Sequence, residues 1–188
     1  MKILGFAGLF ASGKTTAAEH AARLLHCSVY SLGDEVRLAL KKKKQKITRE
    51  ALQALSAEEK KKFGNGIWAR RLAARIKKTD AKYAVVEGFR NLDEVRVFRS
   101  AFGKNFFLIA VTAPIELRYR RAKLRKRECE KTSSLAAFKK SESLEAKGEG
   151  WGIKNVNAAA DYEIDNSGST RDLLEKVERA VKRARHNS

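Results

Sequence analysis

Short apolar runs and longer stretches of helical period alternate along the 188-residue chain. Lys2–Ala7 is an apolar run followed by glycine, as a strand buried on both faces would be. Gly13–Leu25 carries alanines and leucines at helical spacing, and Ser28–Leu32 reads as a brief second strand. Asp34–Lys44, Thr48–Phe63 and Ile67–Lys78 have helical periods, the middle one with Thr48 placed as its N-cap. Tyr83–Glu87 (YAVVE) is a third strand, with a turn at Gly88 and a helix from Leu92 to about Ala101. Asn105–Thr112 (NFFLIAVT) is the most strand-like segment. The single proline, Pro114, sits where a first helical turn accepts it, and that helix is expected to run to about Arg127. Asp161–Ile164 reads as a last strand and Ser169–Arg185 as an amphipathic helix.

Strands alternating with helices predict an α/β fold in three layers, a parallel sheet of about five strands with helices on both faces. One domain over residues 1–188 is expected, with no internal repeat. Glu128–Gly150 differs from its surroundings: polar, lysine-rich and without a strong apolar stripe. It is too long for an ordinary connection and is expected to form a mobile lid.

Composition narrows the class. With 43% hydrophobic residues and one proline the chain is neither disordered nor collagen-like. Two cysteines far apart, Cys27 and Cys129, exclude a disulfide framework and a cysteine-rich zinc module, so a reducing cytoplasm is the expected location. No apolar run approaches the roughly 20 residues that span a bilayer. The opening MKILGFAGLFA is too short for a secretory core and runs directly into SGKTT. The formal charge of +19 favours anionic partners: nucleotides, phosphorylated metabolites, nucleic acid or an acidic surface.

Gly8-Leu9-Phe10-Ala11-Ser12-Gly13-Lys14-Thr15 matches G-x-x-x-x-G-K-[ST] at every position, between a strand and a helix. The glycines let backbone N–H groups converge on phosphate oxygens, and the helix N-terminus adds its partial positive charge. Lys14 is expected to reach the β- and γ-phosphates of ATP, and the Thr15 hydroxyl to ligate Mg²⁺. Gly8, Ala11, Ser12, Gly13, Lys14, Thr15 and Thr16 are the expected phosphate-holding residues. Three further segments, Ser31–Arg37, Val86–Asn91 and Pro114–Arg125, each place an arginine at or beyond the carboxyl end of a strand, where doubly wound sheets bind ligands.

These segments resemble those of the adenylate-kinase-like small-molecule kinases. Ser31-Leu32-Gly33-Asp34-Glu35-Val36-Arg37 is similar to their S-T-G-D-x-x-R, which implies that Arg37 holds the acceptor phosphate. Glu87-Gly88-Phe89-Arg90-Asn91 resembles D-G-F-P-R, which implies that Arg90 contacts the acceptor and that Glu87 helps to hold magnesium. Arg121-x-x-x-Arg125 resembles the pair that opens their lid. Ala160–Ser169 is similar to the end of dephospho-coenzyme-A kinases beside the adenine, which implicates Asn166 and Gly168. The chain as a whole is similar to an archaeal group of such kinases. It departs from the pattern at Leu32, at Glu87 for aspartate, at Phe89 where a proline precedes the arginine, and at Glu94 where adenylate kinases carry a base-reading glutamine.

Bland roles stand beside these. Asp34 either caps its helix or orients an acceptor hydroxyl. Glu87 and Arg90 would otherwise form structural ion pairs, and Arg37 would face solvent. In Arg118–Arg127, Arg121 and Arg125, then Arg127, are the expected functional cations, and the others a solvated helix face. Lys41–Lys44 complements a helix C-terminus or forms a nucleic-acid strip, and Trp68 is expected to pack. The expected function is phosphoryl transfer from Mg·ATP to a small nucleotide-like acceptor, of nucleoside monophosphate kinase type. The acceptor-binding insertion lies at about 33–80 and the lid at about 121–150. Lys14, Arg90, Arg121 and Arg125 are the expected catalytic residues, and Asp34, Arg37 and Arg90 the acceptor-binding ones. The alternatives are a dephospho-coenzyme-A kinase, a nucleic-acid-associated P-loop NTPase and a regulatory nucleotide-binding protein.

Overall fold

The structure is a computed structural model that describes residues 1–124, 134–147 and 152–186. Strand β1 (Lys2–Ala7) is buried at all six positions and forms the centre of the sheet. It pairs in parallel with β3 (Tyr83–Glu87) on one side and β4 (Phe106–Thr112) on the other. The outer strands are β2 (Val29–Ser31), paired to β3, and β5 (Tyr162–Asp165), paired to β4. Among the described residues the sheet is five-stranded, in the order β2-β3-β1-β4-β5. Parallel neighbours need crossover connections that cover both faces with helices. That is why the central strands are continuous apolar runs rather than alternating ones.

On one face, α1 (Lys14–Leu25) and α9 (Thr170–His186) bury Ala17, Ala18, Ala21, Val177 and Ala180 against Leu4, Phe6, Phe107 and Ile109. The alanines of α1 remove bulk, so its backbone lies close to the strands that carry the site. The other face is covered by α4 (Ile67–Ile76), α5 (Leu92–Phe102) and the short α8 (Ile153–Ala158), against Ile3, Val86 and Leu108. A cluster of rings, Phe89 and Phe98 edge to face at 5.2 Å with Phe106 beside both, fixes α5 to the end of β3. Between β2 and α4 lie α2 (Leu32–Lys42) and α3 (Arg49–Phe63). Trp68 is the packing residue expected, 2% exposed, with its indole N–H donating to Ser56 Oγ at 3.2 Å. After β4 come α6 (Ile115–Leu124) and α7 (Leu135–Lys147).

The N-cap of α3 is Thr48, as the sequence predicts, its hydroxyl accepting the Ala51 N–H. The start of α2 differs. Ser31, in extended backbone at the end of β2, accepts the Gly33 N–H at 3.2 Å and is the cap, so the helix begins at Leu32 and Asp34 lies in its first turn. Asp34 is therefore not the capping residue. The stretch expected to be a lid contains a helix of 13 residues, α7, and residues 125–133 and 148–150 of that stretch lie outside the described residues.

Candidate active site

Strand register assembles the site. Phe6 of β1 and Ser31 of β2 both pair with Glu87 of β3, so three neighbouring strands end at one level. From these ends leave the phosphate loop, the helix carrying Arg37, and the segment carrying Arg90. This is the carboxyl edge of the sheet, where such folds bind ligands.

The phosphate loop turns back on itself between β1 and α1. Gly13 has φ 98° and caps α1, and a Cβ there would run into the Asn166 side-chain amide. Asn166 is buried, arrives from the loop after β5, and donates to the Ser12 carbonyl at 2.7 Å. The second glycine of the motif is thus required twice, by its left-handed backbone and by the close approach of Asn166. Ala11 also has a positive φ, 59°. Arg121 of α6 reaches the same amide, its Nη2 donating to Asn166 Oδ1 at 3.5 Å. Two expected site residues from the segments after the neighbouring strands β4 and β5 are thus linked to the phosphate loop, Asn166 directly and Arg121 through it. Gly168 lies two residues beyond, exposed, with the Asp172 side chain folded over it.

At the mouth of the loop the Thr15 hydroxyl donates to a Glu87 carboxylate oxygen at 2.9 Å. The two expected magnesium ligands are thus adjacent although 72 positions apart. Both are hard oxygen donors with one carboxylate between them. That set suits Mg²⁺, which keeps several waters and takes its remaining ligands from substrate phosphates. Lys14 and Thr16 open α1 beside them, Lys14 half-buried.

On the side expected to hold an acceptor, Gly88, φ 92°, turns against Ser31 and Leu32. Arg37 is paired with Asp34 at 2.6 Å, each side chain about half exposed. Arg90 is exposed. Its N–H donates to Glu94 Oε2 at 2.6 Å and its carbonyl accepts the Gly152 N–H at 2.8 Å, so the backbone beneath the guanidinium is pinned from two sides. Glu94 does not stand in for a base-reading glutamine. It is 3% exposed and completes a capping box on α5, its carboxylate accepting the Arg90 and Asn91 N–H groups while Asn91 Oδ1 accepts its own. Burial pushes its carboxyl above the ordinary carboxylate value, against the pull of those N–H groups and of Lys60 and Arg90. Lys60 of α3 is lowered in turn, chiefly by its own burial and then by Arg90, with Glu94 opposing.

The basic run on α6 also differs from the expectation. Arg118 is not on a solvated face: it is buried between α6 and α7, and its fork pairs with both carboxylate oxygens of Glu142. The helical spacing held the signal, because Ile115, Arg118 and Ala122 fall on one stripe. Arg125 and Arg127 lie outside the described residues.

The sheet order and a G-x-x-x-x-G-K-T loop joining its central strand to α1 define a P-loop kinase-like protein. The AAA domain family matches residues 7–136. The chain belongs to the UPF0200 family of archaeal proteins. It is 33% identical over 167 residues to the UPF0200 protein of Methanosarcina mazei, covering 89% of this chain and 87% of that one. It is 37% identical over 179 residues to the UPF0200/UPF0201 protein of Archaeoglobus fulgidus, covering 94% of this chain. The chain spans about half, 54%, of that relative's length. A Thermus thermophilus crystal structure superposes at a TM-score of 0.67 with 20% identity, covering 97% of this chain and 96% of that one. The shikimate kinase of Acinetobacter baumannii does so at 0.57 with 18% identity, covering 99% and 96%. These last two likenesses are of fold.

Proposed function

We propose that the protein is a small-molecule kinase of nucleoside monophosphate kinase type, which transfers the γ-phosphoryl group of ATP to a small phosphorylated, nucleotide-like acceptor. The observation that carries this reading is the Thr15–Glu87 contact, with the Arg37 and Arg90 segments on the neighbouring strand ends. That proximity supports reading an ATP-phosphate site beside an anion-holding one. Shikimate kinase and a Sinorhizobium meliloti gluconokinase (TM-score 0.55) share the fold, which supports a small acceptor.

In this reading the N–H groups of the phosphate loop and Lys14 hold the β- and γ-phosphates. Thr15 and Glu87 would hold Mg²⁺, which supplies charge neutralisation at the phosphate oxygens when bound. Arg121, which meets Asn166 beside the loop, would face the transferring group; Arg125, its expected companion, lies outside the described residues. Arg37 and Arg90 hold the acceptor anion in line. Such transfer is mostly positioning and charge compensation, which a set of cations around two anions provides. An acceptor phosphate oxygen is already ionised at neutral pH and attacks without a general base. Because Glu94 is committed to its capping box, the acceptor's base is read, if at all, by other groups.

The dephospho-coenzyme-A reading would give Asp34 the role of base toward a ribose hydroxyl. The Asp34–Arg37 pair places that carboxylate within the acceptor segment, which is the observation in its favour. The test is ADP release measured across nucleoside monophosphates, dephospho-coenzyme A and short RNA ends. Stimulation by a monophosphate is expected. Stimulation only by dephospho-coenzyme A, or only by RNA ends, would replace the reading.

A further inference from the structure

The Arg118 side chain is 4% exposed and ties three parts of the chain together. Its Nε donates to the Ala113 carbonyl at 3.0 Å, where β4 passes into α6. Its Nη1 donates to the Phe10 carbonyl, inside the phosphate loop, at 3.3 Å. Both terminal nitrogens meet the Glu142 carboxylate of α7, Nη2 to Oε1 at 3.1 Å. The Phe138 ring of α7 lies by the guanidinium, 5.8 Å to its centroid, and packs on Phe10 and Tyr119 at 6.0 and 5.8 Å. Ala11, Ala122 and Phe138 are the buried centre of this contact.

From this arrangement we propose that Arg118 is the positioning residue of the phosphate loop, and that through Glu142 it makes affinity for a nucleoside triphosphate depend on α7 being docked. The inference rests on the reading of that loop as a triphosphate site. A trans peptide holds its carbonyl and its N–H on opposite sides. Fixing the Phe10 carbonyl on Arg118 therefore turns the Ala11 N–H the other way, toward the concave side on which such a loop gathers its N–H groups. Ala11 holds φ 59°, a conformation that a residue with a Cβ avoids unless its surroundings impose it. Arg118 supplies that constraint. A buried guanidinium also needs its charge met, and Glu142 meets it with a bidentate pair. Withdrawing α7 would remove that carboxylate and the Phe138 ring together, opening Arg118 to water and loosening its hold on the Phe10 carbonyl. Loop geometry and helix docking are thus one equilibrium. Lysine at 118 would keep the charge and lose the planar fork that reaches three acceptors at once.

The test is ATP binding by calorimetry in wild type, Arg118→Lys, Glu142→Gln and Ile76→Val, with melting temperature recorded for each. Ile76 is fully buried in the layer across the sheet from α1 and controls for loss of stability alone. Arg118→Lys and Glu142→Gln should each bind ATP about tenfold more weakly, the scale of one charge-assisted hydrogen bond. Ile76→Val should melt lower and bind as wild type. Should Arg118→Lys fail to fold, Glu142→Gln decides alone. Wild-type affinity in Glu142→Gln, or an affinity loss in Ile76→Val proportional to its loss of stability, would overturn the proposal. Binding is the readout, so a failure of the kinase reading shows separately, as ATP bound normally but transferred to no acceptor.

Discussion

Asp34 and Glu94 are two carboxylates a short distance along the chain from Arg37 and Arg90, and their surroundings give them opposite work. Asp34 is half exposed and holds Arg37. With a phosphate acceptor, Asp34→Asn should leave single-turnover transfer nearly unchanged and should not raise the acceptor KM, since the acceptor no longer competes with the carboxylate for Arg37. With a hydroxyl acceptor the rate should fall by roughly a hundredfold or more, the effect of a positioned general base. A collapse of transfer with ATP affinity intact would move the reading to a hydroxyl acceptor. Glu94 is buried, and burial raises its carboxyl above the unfolded value. The native state then holds that proton more tightly than the unfolded chain. Its stabilising contribution is complete below the unfolded pKa and is lost as pH rises through the native one. Glutamine keeps the acceptor oxygen and has no proton to lose. The melting temperature of wild type relative to Glu94→Gln should therefore decline as pH rises from about 4 toward neutrality. A pH-independent difference would show that burial does not tune Glu94.

At the scale of elements, the alternation of strands and helices was legible, because strands covered on both faces and amphipathic helices leave unlike patterns. The start of α2 was not, since Ser31 and Asp34 are both good caps and only the backbone of β2 decides between them. Helix α7 left no stripe because, among the described residues, its one buried side chain is the Phe138 ring, beside ion pairs of Glu142 with Arg118 and of Lys139 with Glu116. The phosphate loop could be read outright, being eight consecutive residues. For Arg118 the spacing with Ile115 and Ala122 marks a buried stripe, but a cation within a run of cations does not reveal its carboxylate partner 24 positions away. Thr15 and Glu87 were expected near one another only through the family resemblance, and the register of β1 with β3 is what joins them. The capping box of α5 gives a prediction at this scale. Asn91→Ala should cost about 1 kcal/mol of stability. It should also raise the acceptor KM more than the ATP KM, because the box fixes the backbone of Arg90. An equal rise in both would mean that the cap serves stability alone.

For the molecule as a whole, the formal charge is +19, which accords with the proposed anionic substrates. It would hasten capture of phosphorylated ligands and attract nucleic acid without selecting either. Selection has to come from the site. In the proposed function the γ-phosphoryl group of ATP ends on a small phosphorylated acceptor at the carboxyl edge of the sheet. The most direct test follows the γ-phosphoryl group itself, by giving γ-labelled ATP to wild type and Lys14→Ala with monophosphates, dephospho-coenzyme A and RNA ends present together. The label should appear in a nucleoside diphosphate with wild type and be absent with Lys14→Ala. Label found only in inorganic phosphate or on RNA ends, or transfer by Lys14→Ala at the wild-type rate, would contradict the account.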